Sequence, residues 1–372
     1  MTLQDTSNLP LTPWQQKQAA MLAYFSSMDY LVGLQKLVTC IISGVVDPAL
    51  DDSTNQNRDA LLVSSRWGAR NTSRNWSDYG WPFLKDLQAS LAKDIASRGS
   101  GVYTMTAVNE CLRGVEQFSL EWMTPGEQRI FTQAIQEIND WASPLDLTMA
   151  NWMSSAWDDY CFAYYYPAFA ARCHTAPRYR ILTETAYPTG SVPPRTGIYI
   201  SKDDPFAALQ FASSGTSGIA LRKASGFNDL GHAALAAVGR ESLWFDDQKM
   251  FDFATSPAFA PILRDDVFWD GVACPDLARS AVARKALTLR DSDWYFVEPI
   301  AGEFDSLADL GTETPPFQER VRIVGGEKCI EAGFYFSPSY PNSRRYLSAG
   351  ETAPIVDNGY GKTFWQWDLN QK

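Results

Sequence analysis

The sequence predicts an α+β protein: an N-terminal helical bundle over 1–175, an α/β middle region over 176–302 and a small β-rich C-terminal module over 303–372. Three observations carry this. Two capping boxes, Thr12-Pro13-Trp14-Gln15 and Thr124-Pro125-Gly126-Glu127, open segments with helical apolar spacing in the first half. After about Ala176 that spacing gives way to prolines and short aliphatic runs. From Gly325 onward, short aromatic runs alternate with Gly, Pro, Asn and Asp, which is the pattern of strands joined by tight turns.

Thr12 can cap a long helical segment reaching about Val46. Phe83, Leu87, Leu91 and Ile95 recur every four residues before Gly99, which stands where a helix should end. Met105, Val108, Leu112 and Val115 carry the spacing of another helix. Thr124 opens one with Ile130, Phe131, Ala134, Ile138 and Trp141 on a shared face, and an aromatic-rich helix should run from about Thr148 to Ala171. Antiparallel packing of such helices gives a bundle. In the middle region Pro188, Pro193 and Pro194 mark a loop before a strand at Arg195–Ser201. Helices are expected at Asp204–Phe211, Asn228–Val238 and Asp246–Phe253, with a strand at Trp294–Glu298. Glu303–Pro316 reads as a polar connector. In the tail, Trp365 and Trp367 share one face of a strand and are expected to close a small barrel.

A length of 372 residues accommodates two or three domains, and 45% hydrophobic with 20% charged residues is a globular balance. The formal charge of -11 disfavours nucleic acid and anionic membranes and would attract a basic protein. Aromatics at 13%, including 13 Trp, supply cores and contact surfaces. The polar Met1–Pro10 start lacks a signal-peptide pattern, and no apolar run approaches the roughly 18 residues of a membrane span, so a cytoplasmic location is expected. Cys40, Cys111, Cys161, Cys173, Cys274 and Cys329 show no CxxC pairing and suit reduced thiols.

Catalytic signals are sparse. His174 and His232 are the only histidines, too few for a multi-histidine metal centre, and no Gly-x-Ser-x-Gly elbow is present. No cofactor or metal is implied. The carboxylate pairs Asp51-Asp52, Asp158-Asp159, Asp203-Asp204, Asp246-Asp247 and Asp265-Asp266 fit helix starts better than metal sites. The Arg195-Thr196-Gly197-x-Tyr199 stretch with Ser201 shares a few residues with the strand-borne Arg of ADP-ribosyltransferases. Gly325-Gly326 lacks the rest of a phosphate loop and reads as a turn.

The tail carries four steps: Gly333-Phe334-Tyr335-Phe336-Ser337-Pro338, then Ser343-Arg344-Arg345-Tyr346, then Gly350-Glu351 with Pro354, then Tyr360-Gly361-Lys362-Thr363-Phe364-Trp365-Gln366-Trp367-Asp368. In these the chain resembles the β-rich immunity family numbered seventy-two of bacterial polymorphic-toxin systems. Ala353 replaces a Met usual in that family, and Phe364 an Ile. There a helical immunity module, numbered seventy-one, typically lies N-terminal. The resemblance implies a non-enzymatic protein that binds a cognate antibacterial toxin, commonly one delivered by type VI secretion, and occludes or distorts its active site. If that toxin is basic, Trp244, Asp246, Asp247, Asp265, Asp266 and Trp269 are the expected contact zone. Homo-oligomerisation stays open. The alternatives are an ADP-ribosyltransferase-like effector enzyme and an effector chaperone or scaffold.

Overall fold

Thr12 starts the first helix with the reciprocal bonds its sequence predicts: its hydroxyl accepts the Gln15 N–H at 3.3 Å, and the Gln15 side chain accepts the Thr12 N–H at 2.9 Å. The computed structural model describes residues 8–61, 63–64, 68–69, 72–150, 157–264, 266, 269, 275–307, 322–336, 343–355 and 364–367. The chain groups into two compact units, Met1–Phe227 with Leu287–Gly311, and Asn228–Ala286 with Thr312–Lys372. These do not follow the three consecutive stretches read from the sequence, because the helical front half and the middle strands share one unit.

In the first unit β1 (Asn8–Pro10) precedes α1 (Pro13–Ser26) and α2 (Met28–Ile41). The single expected segment to Val46 is interrupted at Ser27, which is extended (ψ 154°) and caps α2 by accepting the Tyr30 N–H at 3.1 Å. A π turn at Ile42–Val46 leads into α3 (Asp47–Asn55). A 3₁₀ turn at Arg58–Leu61, the short strands β2 (Val63–Ser64) and β3 (Gly68–Ala69), and α4 (Thr72–Asn75) follow. A second π turn, Trp76–Gly80, leads into α5 (Trp81–Gly99).

Both π turns precede an X-Pro pair, Asp47-Pro48 and Trp81-Pro82. Proline has no N–H for the i→i−4 ladder, and the residue before it donates five residues back, Asp47 to Ile42 and Trp81 to Trp76. The same two residues join the turns, since the Trp81 indole donates to Asp47 at 2.8 Å.

Met28–Asn55 is long and apolar enough to cross a membrane by length and composition, which corrects the reading that no run approaches a span. Its stripe of Leu31, Leu34, Val38, Ile41, Ile42 and Val46 is buried, and α2 packs on α5 as a core helix does.

Next come α6 (Val108–Val115), α7 (Pro125–Met149) and α8 (Asp159–Ala170). α6 approaches α5 closely at Gly114, where a Cβ would come within 2.5 Å of the Phe83 ring. On α7 the buried stripe is Phe131, Ala134, Ile138, Ala142, Leu145 and Met149, while Ile130 is 56% exposed. Ile130 therefore leaves the predicted face, as its place one residue before Phe131 requires.

The helices accompany a five-stranded antiparallel sheet of order β1-β4-β9-β5-β6, made with β4 (Thr175–Pro188), β5 (Gly197–Ser201), β6 (Gln210–Ala212) and β9 (Asp293–Ser306). The helix expected at Asp204–Phe211 is absent. Asp204 instead accepts the Phe206 N–H two residues on, at 2.8 Å, a local turn that competes with helix initiation, and the chain proceeds into β6. β9 continues to Ser306, so the front of the expected connector at Glu303 is strand. A two-stranded ladder of β7 (Ala224–Phe227) and β8 (Leu287–Arg290) marks where the chain leaves this unit and returns.

The second unit holds α9 (Asp229–Val238), α10 (Asp247–Thr255), α11 (Ala260–Leu263) and α12 (Pro275–Ala286). It also holds a four-stranded antiparallel sheet of order β10-β13-β11-β12: β10 (Arg322–Val324), β11 (Gly333–Phe336), β12 (Arg345–Leu347) and β13 (Phe364–Trp367). Among the described residues this sheet is open, with β10 and β12 at its edges, and is not the expected closed barrel.

Candidate interaction surface

Four of the six residues expected to form an acidic contact zone around Trp244 are buried. Trp244 is 1% exposed, Trp269 6%, Asp247 7% and Asp266 9%. Trp244 adopts φ +68°, and the Arg279 guanidinium holds that turn by donating to the Trp244 carbonyl at 3.0 Å while pairing with Asp247 at 2.6 Å. Asp266 takes both arms of Arg284, at 2.8 and 2.6 Å. Asp246 caps α10 by accepting the Lys249 N–H at 2.9 Å. Asp265 lies outside the described residues. The buried Trp244, Asp247, Asp266 and Trp269 thus hold α10, α12 and the turn before α10 together, which corrects the expectation that these four form an exposed contact surface. The misreading has a physical cause: adjacent acids look solvated in sequence, whereas arginines 18 and 32 residues away draw them inward.

The tail motif converges instead. β11 and β12 pair with Phe334 opposite Tyr346, and β10 pairs with β13 with Ile323 opposite Trp365. Ile323, Cys329, Tyr335, Leu347, Ala353 and Trp365 form a small core. The loops are stitched to it through backbone bonds, from Gly350 N–H to Cys329 at 2.7 Å, Cys329 N–H to Glu351 at 2.7 Å and Ala353 N–H to Glu327 at 2.8 Å. Trp365 donates its indole N–H to the Pro354 carbonyl at 2.8 Å. Gly326, at φ +95°, makes the turn after β10 that an L side chain would strain. So described residues of all four motif steps meet in one module. The side chain of Trp367 lies outside the described residues.

Strand alternation sends Tyr335 and Leu347 inward and leaves Phe334 and Tyr346 on the opposite face. Their rings meet edge to face at 5.3 Å, and the Arg344 guanidinium lies 4.0 Å from the centre of the Phe334 ring. Tyr346 is 54% exposed, and Arg344 and Arg345 are exposed beside it. The acids of the neighbouring turns serve locally: Glu351 accepts the Ser348 N–H at 2.8 Å and Glu327 the Val324 N–H at 3.3 Å. The result is a stacked aromatic and guanidinium face beside the β12 edge, a combination enriched where proteins dock.

Elsewhere the candidate chemistry is committed to structure. Arg195 precedes β5, lies over the Phe296 ring at 5.5 Å and reaches Glu298 at 3.9 Å. Ser201 is buried on Ser292 at 2.8 Å and accepts the Asp204 N–H at 3.0 Å. Asp158 caps α8 through the Cys161 N–H at 2.7 Å, and Asp159 accepts the Trp14 indole at 2.7 Å. Burial pushes the Cys111 thiol up to about 12 and raises that of Cys161, the opposite of an activated nucleophile. Among the described residues no group of three or more His, Cys, Asp or Glu is placed to hold a metal ion.

No protein-family model, curated protein or solved structure matches this chain.

Proposed function

We propose that this chain is an immunity protein that binds a cognate antibacterial toxin in the cytoplasm of the producing cell and neutralises it, with the Phe334–Arg344–Tyr346 face as part of its contact surface. The observation that carries the reading is this face: an arginine pre-stacked on one aromatic ring, an exposed tyrosine beside it, and a packed sheet beneath. Arg and Tyr are over-represented among residues that dominate binding energy, and a stacked guanidinium loses less freedom on docking. The motif steps that resemble the β-rich immunity family supply these residues and the core that fixes them. The net charge of -11 further fits a basic toxin approached by electrostatic steering.

The test is co-expression with the product of the neighbouring gene, scoring growth and co-purification together. Rescue with a stable complex is expected, and Arg344→Ala with Tyr346→Ala should weaken both while leaving the unfolding midpoint unchanged. A complex without rescue would favour a chaperone or scaffold. Slowed growth from this chain alone would favour an effector enzyme.

A further inference from the structure

A pocket of about 230 Å³ opens where the start of α6 meets α7 and α8. Asn109, Asn139, Ser143, Asp146 and Tyr165 bring polar side chains to it, and Met105 and Leu147 belong to its apolar wall. The volume suits a small organic molecule rather than a single water. It lies in the helical part of the first unit.

Asp146 is the distinctive group. It is only 6% exposed and accepts two bonds from one residue, the Thr106 N–H at 2.6 Å and the Thr106 hydroxyl at 2.8 Å. Two donors leave lone pairs on both carboxylate oxygens. Among the described residues no cation pairs with it. Arg98 is near enough to feel its field, yet that guanidinium donates to the Ser26 and Ser27 carbonyls at 3.3 and 3.4 Å and lies over the Tyr103 ring at 5.1 Å. Asp94 on α5 and Glu110 on α6 add like charge, and Tyr165 faces the pocket from α8 with Ser143 in hydrogen-bonding reach. Burial first, then these two acids, push the Asp146 carboxyl up to about 6 against the two Thr106 bonds, which leaves it largely ionised at neutral pH.

A buried carboxylate without an ion-pair partner among the described residues, beside two amides, two hydroxyls and an apolar wall, lacks one component: a cation with several N–H donors and a short hydrocarbon stem. We propose that this pocket binds a small primary ammonium compound, its charged head against Asp146 and its stem along Met105 and Leu147. The three ammonium donors match Asp146 with the oxygens of Asn139 and Tyr165. A divalent metal fits less well, since one carboxylate and an apolar wall do not provide the oxygen-rich shell that calcium or magnesium requires.

Calorimetric titration of the full chain with n-butylammonium, and with 1-butanol as the neutral isostere, tests this. The amine should bind saturably at millimolar concentration and about tenfold more tightly than the alcohol, the scale of one charge-assisted hydrogen bond. Its affinity should fall as pH drops through about 6 and Asp146 takes a proton. Asp146→Asn preserves the shape and can still bond Thr106, and should lower the affinity about tenfold. Should that variant fail to fold, Tyr165→Phe keeps the ring and should still weaken binding severalfold. Absence of saturable amine binding, equal binding of the alcohol, or unchanged affinity in the variants would overturn the proposal.

Discussion

The side-chain amide of Gln16 closes the backbone of β4 at Tyr179, donating to the Tyr179 carbonyl at 3.0 Å and accepting the Tyr179 N–H at 3.2 Å. Tyr179 stands at a register shift, opposite Pro299, which has no N–H to offer. Two further glutamines of α1 act alike: Gln15 donates to the Pro205 carbonyl at 3.0 Å, and Gln18 accepts the Leu209 N–H at 3.1 Å. α1 is thus a polar clamp on the sheet. Gln16→Leu should cost about 2–4 kcal/mol, because two buried backbone groups lose their partner. Chemical denaturation measures this, and a loss below about 0.5 kcal/mol would show that the amide is dispensable.

The Asp47–Trp81 bond ties two π turns that their prolines impose. Asp47→Asn keeps an acceptor oxygen and should be close to neutral. Asp47→Ala should destabilise by about 1 kcal/mol, as should Trp81→Phe, with little further loss when the two are combined. Additive losses in that double-mutant cycle would mean the two residues act separately.

Neighbouring acids in the second unit should behave oppositely. Asp246 is a helix cap, a role Asn fills equally well, so Asp246→Asn should shift stability by less than about 0.5 kcal/mol. Asp247 is buried against the half-buried Arg279, and Asp247→Asn removes the charge from that contact, a loss of about 1.5 kcal/mol or more. Thermal unfolding of the two variants side by side decides the point, and equal midpoints would contradict the assigned roles.

Asp146 also sets a pH dependence. Its folded carboxyl titrates near 6, above the unfolded value of about 3.9, so the fold binds this proton more tightly than the unfolded chain does. The contribution of this group to stability is therefore greatest below about pH 4, declines as pH rises to about 6, and is fully lost above that. The scale is about 3 kcal/mol. Asp146→Asn should flatten this part of the stability profile between pH 4 and 6. An unchanged slope relative to the parent would show that another group titrates there.

Local signals were legible in the sequence wherever a short-range bond decides the structure. The boxes at Thr12 and Thr124 and the helix starts at Asn228 and Asp246 follow the sequence, because each depends on residues three or four apart. β4 has no clear sequence signal: its fourteen residues mix Pro, Arg, Glu and Thr without a clean alternation, and it exists because β9, more than a hundred residues later, pairs along it. The Asp204 helix failed for the same reason in reverse, as a side-chain turn and strand pairing prevailed over a plausible cap.

By itself the sequence determined the α+β class, most of the helix starts and the cluster of tail motif residues. The tertiary structure alone decided which charges face water. Arg279 and Arg284 drew Asp247 and Asp266 inward, while the β11–β12 pairing turned Phe334 and Tyr346 to the face opposite the core. Helix caps and strand alternation are encoded within a few residues of chain, whereas burial of a charge depends on a partner whose distance along the sequence carries no signal of its distance in space.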